Sequence, residues 1–175
     1  TIFADGVVDV RLDVEKNPHF PFLPRFGFRM FLPKSMSKVT YCGIGPVESY
    51  IDKRRAGYHG LFNADVKALH EDYLRPQENG SHYDCDYIRI SNDRVRINVA
   101  GEKTFSFNAS VYTQEELTQK SHNYQLEESP YTVLCVDYRQ SGIGSNSCGP
   151  ELAPQYQLND SKFCFEVRLQ PEIIR

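Results

Sequence analysis

The 175-residue chain contains no tryptophan and only two methionines, and none of its apolar runs approaches the roughly 20 residues needed to cross a bilayer. No membrane-spanning helix is expected from it. Basic clusters are missing as well. The 20 Lys and Arg and 23 Asp and Glu are scattered, for a formal charge of -3, which leaves no electrostatic footprint for nucleic acid or an anionic membrane. The five cysteines, Cys42, Cys85, Cys135, Cys148 and Cys164, are odd in number and form no C-x-x-C pair, so they read as free thiols of a reducing compartment or as buried side chains. His19, His59, His70, His82 and His122 are dispersed without H-x-x-x-H spacing, and no metal site is expected from that spacing. Neither a G-x-S-x-G elbow nor a Gly-rich phosphate loop with its lysine occurs. The N-terminus lacks the basic, apolar and small-residue order of a signal peptide. The three sequons at Asn79, Asn108 and Asn159 match a short triplet that arises often by chance.

What the chain does contain is alternation. Eleven Phe and eleven Tyr give a composition rich in good strand formers. Val8, Val10, Leu12 and Val14 alternate with Asp9, Arg11 and Asp13, the period of a half-buried strand. Pro18, Pro21 and Pro24 make an extended connector, after which Phe26, Phe28, Met30 and Leu32 alternate again. Further strands are expected at Val39–Ile44, Tyr83–Tyr87, Val95–Val99, Phe105–Val111, Tyr131–Tyr138 and Phe163–Leu169, with a hairpin across Ser91-Asn92-Asp93. The stretch from Tyr131 to Tyr138 is apolar on both faces, as a central strand would be. One short helix is expected after Thr113, whose hydroxyl and the Glu116 carboxylate can cap each other's backbone donors. The pattern predicts a single all-β domain over residues 1–175, an antiparallel β-sandwich with one short helix. It begins in mid-pattern, as an N-terminally truncated domain would.

Three segments could carry chemistry. "GIGSNSCGP" (Gly142 to Pro150) is rich in glycine and small polar residues, which suits close approach to a ligand and equally suits a turn. Cys148 has no histidine at a recognisable spacing to activate it. The other two segments carry Glu48 and Asp52 in "GPVESYIDKR" and Glu78 in "RPQENG". A glycosidase needs two carboxyls facing each other across the scissile bond. Loop carboxylates more often cap turns and pair with neighbours, here Lys53, Arg54 or Arg75.

Five ordered segments carry a more specific signal: "LPRFGFRMFLP" from Leu23, "YCGIGPVESYIDKRRAG" from Tyr41, "YLRPQENG" from Tyr73, "FSFNASVYTQEEL" from Phe105 and "GIGSNSCGPEL" from Gly142. Together they resemble the C-terminal, small-chain domain of the glycoside hydrolase family 2 β-galactosidases, over nearly the whole chain. The resemblance implies a galactose mutarotase-like supersandwich that is itself non-catalytic. In that family the acid/base and nucleophile glutamates sit on a separate TIM barrel, where Mg and Na are commonly used, and a chain of this size has no pattern for such a barrel. Glu48 and Glu78 are not expected in those roles, and no cofactor is expected in this domain. The implied partners are that barrel, a galactoside such as lactose and further copies of a homo-oligomeric parent, with no nucleic acid and no membrane. The implied location is the cytoplasm, with a periplasmic parent left open. In the family the loop matching Gly142 to Pro150 sets a Trp beside the sugar. Here Cys148 takes that position in a loop about one residue shorter, leaving Ser145, Asn146, Ser147 and Cys148 as the candidate substrate-binding residues. A stand-alone carbohydrate-binding sandwich and an aldose epimerase are the alternatives, the latter resting on fold analogy alone.

Overall fold

A computed structural model of the chain describes residues 1–144 and 149–174. Its strands are β1 (Val8–Glu15), β2 (Arg25–Pro33), β3 (Lys38–Gly45), β4 (Tyr58–Asp65), β5 (Ser81–Ser91), β6 (Val95–Ser110), β7 (Tyr131–Gln140) and β8 (Lys162–Ile173), and one helix, α1 (Gln114–Gln119), follows β6. Every strand pairing is antiparallel. The sheet runs β1-β8-β6-β5-β3-β4, with β7 joined to β6 and β2 to β7. This open all-β arrangement agrees with the architecture expected from the alternation.

The long strand β6 organises the rest. One of its edges carries β5 along most of its length. The other is shared: Val95 to Gly101 pair with β8, and Ser106 to Ser110 pair with β7. Between them the β5 ladder loses register, from Cys85↔Phe105 to Tyr87↔Ala100. Irregularities of this kind bend a strand and increase its twist. The β2–β7 ribbon then lies against β8, with the Phe26 and Phe163 rings 5.1 Å apart and Tyr138 stacked on Phe163 at 4.4 Å. Sequence alternation predicts two strands at Val95–Val99 and Phe105–Val111, whereas the chain stays extended through the break. Gly101 permits this, because a Cβ there would crowd the Lys103 carbonyl.

The core follows the alternating pattern. Ile88, Ile90, Val99, Phe107, Leu134 and Val136 are fully buried. His82 is among them, ring-stacked with Phe107 and packed on Tyr41; burial lowers its pKa to about 4. The pattern underestimates burial in the second half of β6. Ser106, Asn108 and Ser110, which alternate with its apolar residues, are buried too, and the Asn108 amide donates to the Asn79 carbonyl. Asn79 and Asn108 are therefore closed to glycosylation in the fold. Half of the expected capping box forms. The Thr113 hydroxyl accepts the Glu116 N–H at 3.1 Å, while the Glu116 carboxylate accepts from Glu127 N–H instead. The described cysteines Cys42, Cys85, Cys135 and Cys164 are free, two of them buried. No helix among the described residues is long and apolar enough to cross a membrane.

Leu134 sits where β7 meets both β2 and β6 and has no exposed surface. Leu134→Ala is expected to lower unfolding stability by roughly 2–5 kcal/mol, the range for deleting a buried leucine side chain, measured by urea denaturation.

Candidate functional site

The loop after β3 opens with Gly45-Pro46, joined by a cis peptide bond, and its Glu48 is 5% exposed. A carboxylate buried to this degree must be paired. Lys53 from the same loop forms an ion pair with it, Tyr50 donates at 3.2 Å, Tyr73 donates from the next loop, and the Gly80 N–H donates at 2.8 Å. Burial alone would raise the Glu48 pKa, but Lys53, Tyr73 and Gly80 together outweigh it and hold the carboxyl below its ordinary value. Gly80 can serve because it has no side chain. Its φ is +69°, and a Cβ would fall onto the Leu69 carbonyl oxygen.

A second ionic cluster stands beside the first. Arg25, at the start of β2, reaches across to Asp137 on β7 with both nitrogens of its fork, Nε lying 3.2 Å from Oδ1. Asp137 is 2% exposed and also accepts from Gln140 at 3.0 Å. Arg25 pairs in addition with Glu78, which ties β2 to the loop between Tyr73 and Gly80. The approach depends on Gly27, where a Cβ would collide with Asp137.

The third element is the segment leaving β7. Asp52 accepts consecutive amides from it, Ile143 N–H at 3.2 Å and Gly144 N–H at 2.9 Å. The Gly142 N–H donates to the Tyr156 carbonyl at 2.8 Å, and a Cβ on Gly142 would strike the Asp52 carboxylate. Between these groups lies an open cleft of about 240 Å³ whose walls include Arg25, Tyr50, Glu78, Gln140, Gly144 and Leu152. Four of the five segments that carry the family resemblance thus meet at one place.

The candidate residues Ser145, Asn146, Ser147 and Cys148 lie outside the described residues; the base of their loop, Gly142 to Gly144, stands on the cleft wall. The anchoring expected of the acidic residues holds for Glu48 with Lys53, and Asp52 caps the loop base. Glu78 pairs with Arg25 rather than Arg75, because its loop folds back over the start of β2. Lys53, Tyr73 and Gly80 hold the Glu48 carboxyl below its ordinary value, whereas burial pushes the Asp137 carboxyl up against the pull of Arg25 and Gln140; both stand behind the cleft walls rather than in them. Arg25 and Asp137 escaped the reading of the sequence. The signal was available: an aspartate inside the otherwise apolar "YTVLCVDY" needs a cationic partner once that strand is buried.

The fold and cleft define a β-sheet domain whose buried carboxylates organise loops. The family model described as the beta galactosidase small chain matches residues 1–169, and the chain belongs to that family. It is 49% identical over 93% of its length to a beta-galactosidase of Actinobacillus pleuropneumoniae and 42% identical over 95% to one of Staphylococcus xylosus, matching 16% and 17% of those proteins. A Lactococcus lactis beta-galactosidase is 33% identical over 95% of the chain and 16% of that protein. The chain therefore spans about a sixth of the length of these curated relatives.

Glu48→Gln keeps the side-chain shape and removes the charge that Lys53 meets. It is expected to cost about 1–3 kcal/mol near neutral pH. Because the folded-state pKa of Glu48 is depressed, its contribution is present above the unfolded-state value and disappears as pH falls through the folded one. Denaturant titrations of the two proteins should converge in acid; a gap that does not narrow would contradict the role of the ionised carboxylate.

Proposed function

We propose that this chain is the non-catalytic small-chain domain of a β-galactosidase, and that it completes the active-site mouth of an enzyme hydrolysing terminal β-D-galactosides such as lactose. Bond cleavage belongs to the TIM barrel elsewhere in the parent, together with any Mg and Na the reaction uses; no reaction cofactor is assigned to this domain. The observation that carries the reading is the convergence of separate family segments on one cleft, with the base of the Gly142 to Pro150 loop fixed by the Asp52 carboxylate. The Asp52 carboxylate holds the base of this loop through Ile143 and Gly144. Ser145, Asn146 and Ser147 supply hydroxyl and amide partners for sugar hydroxyls, and Cys148 supplies a small wall where the family sets an aromatic platform.

The test is Asp52→Ala in the intact enzyme, with Asp93→Ala in the β5–β6 turn as the control. Loss of the two loop hydrogen bonds should raise KM for a nitrophenyl galactoside on the order of 5-fold, equivalent to about 1 kcal/mol, with kcat changed less. An unchanged KM would remove the loop from the substrate's surroundings. The isolated chain should show no turnover; activity that disappears in Glu78→Gln would overturn the non-catalytic reading.

A further inference from the structure

A cluster outside the cleft brings together three different metal-ligating side chains. Cys42 is on β3, His59 on β4 and Asp86 on β5, and their ligand atoms all lie within 4.8 Å of one another. Cross-strand register explains how they meet. Cys42 pairs with Leu61 on β4 and Tyr87 on β5, and His59 pairs with Ile44. Cys42 and Ile44 share the solvent face of β3, because Tyr41 and Gly43 point inward. Their cross-strand partners share that face, so Cys42 and His59 stand diagonally across it. Regular alternation back from Tyr87 would turn Asp86 inward. The irregularity between Cys85 and Tyr87 gives the inward position to Cys85 and turns Asp86 out beside Tyr87. Asp84, at φ +58°, is part of the same distortion.

Two of the three separations match a coordination shell, and the third, between Cys42 and His59, is within 4.8 Å. Tetrahedral zinc, at about 2.0 Å from nitrogen and oxygen and about 2.3 Å from sulfur, sets N···O near 3.3 Å and S···O near 3.5 Å. Here His59 Nε2 lies 3.3 Å from Asp86 Oδ2, and Cys42 Sγ lies 3.3 Å from the same oxygen. Both contacts are solvent-accessible, with the His59 and Asp86 side chains 43% and 51% exposed, so an ion can enter and a water can take the fourth position.

We propose that Cys42, His59 and Asp86 form a binding site for a divalent transition metal of the zinc class, fastening strand β4 to β3 and β5. The thiolate selects a soft or borderline cation over Mg²⁺ or Ca²⁺. On binding, the Cys42 S–H bond breaks and its proton leaves to solvent, while lone pairs on Sγ, the neutral imidazole Nε2 and Oδ2 coordinate the ion. No electron is transferred. Thiolate and carboxylate together neutralise the ion's two charges. The site does not rest on the function proposed above. Spacing along the chain gives no hint of it, since the ligands come from three strands.

The test is a Co²⁺ titration of the intact, chelator-stripped protein, followed by Zn²⁺ displacement. The expected result is a thiolate-to-cobalt charge-transfer band with the visible bands of four-coordinate cobalt, saturating at one equivalent and bleached by Zn²⁺. Cys42→Ser should abolish the band, His59→Ala should weaken Co²⁺ binding by about 100-fold or more, beyond the loss typical of outer-shell partners, and Cys164→Ser should leave the band intact. As a check independent of variants, Zn²⁺ should slow alkylation of Cys42 in the native protein by at least about 10-fold, since a coordinated thiolate is protected. A missing band, a band that survives Cys42→Ser, or an alkylation rate indifferent to Zn²⁺ would overturn the site.

Discussion

Removing a carboxylate from water costs several kcal/mol unless charge and hydrogen bonds replace the lost hydration, and Glu48 meets that requirement with partners drawn from two loops. Its demand for donors fixes the Gly45 to Lys53 loop against the Tyr73 to Gly80 loop. Asp52, a few residues along the same loop, then holds the segment leaving β7. Arg25 closes the arrangement by joining Glu78 to Asp137. Three loops and the start of β2 become one body through ionic contacts, although none of them has much hydrophobic core of its own.

That body needs a stiff foundation, and the strand pairing supplies it. β3 leads into the first loop, β5 begins where the second ends, and β7 leads into the third. All three strands connect through β6, directly or by way of β5. Apolar side chains buried on β5, β6 and β7 hold these strands in register, so the loops emerge from fixed positions. Glycines stand where the backbone passes closest to a charged or carbonyl group. Gly27 lies beside Asp137, Gly80 beside Leu69 and Gly142 beside Asp52, and at each one a methyl group would push apart the contact that organises the cleft.

Much of the fold was legible in the sequence because it depends on period-two alternation. β1, β2, β3, β7 and β8 lie where apolar and polar residues alternate or where an apolar run is bounded by turns. β4 was missed. Its inward residues are Gly60, Phe62 and Ala64, two of them too small to mark a face, and Leu61 stands exposed on the outside. The continuity of β6 was missed because glycine and charged residues at 101–103 resemble a turn, and only pairing with neighbouring strands keeps them extended. The site was less legible than the fold. Segments that carry the resemblance line the cleft, but the partnership of Arg25 with Asp137 joins residues 112 positions apart, and nothing local specifies it. The convergence of Cys42, His59 and Asp86 was hidden for the same reason, with the further condition that a break in register must turn Asp86 outward.

The role proposed for the domain at an active-site mouth concerns contact, and contact is measured most directly in a structure of the intact enzyme with an unhydrolysed galactoside bound. If the domain shapes the mouth, atoms of the Gly142 to Pro150 loop will lie within about 4 Å of the sugar or of a water bridging to it, with Asp52 still holding the loop base. A sugar whose surroundings contain no atom of this domain, with the 240 Å³ cleft facing away from the barrel, would contradict the proposed role.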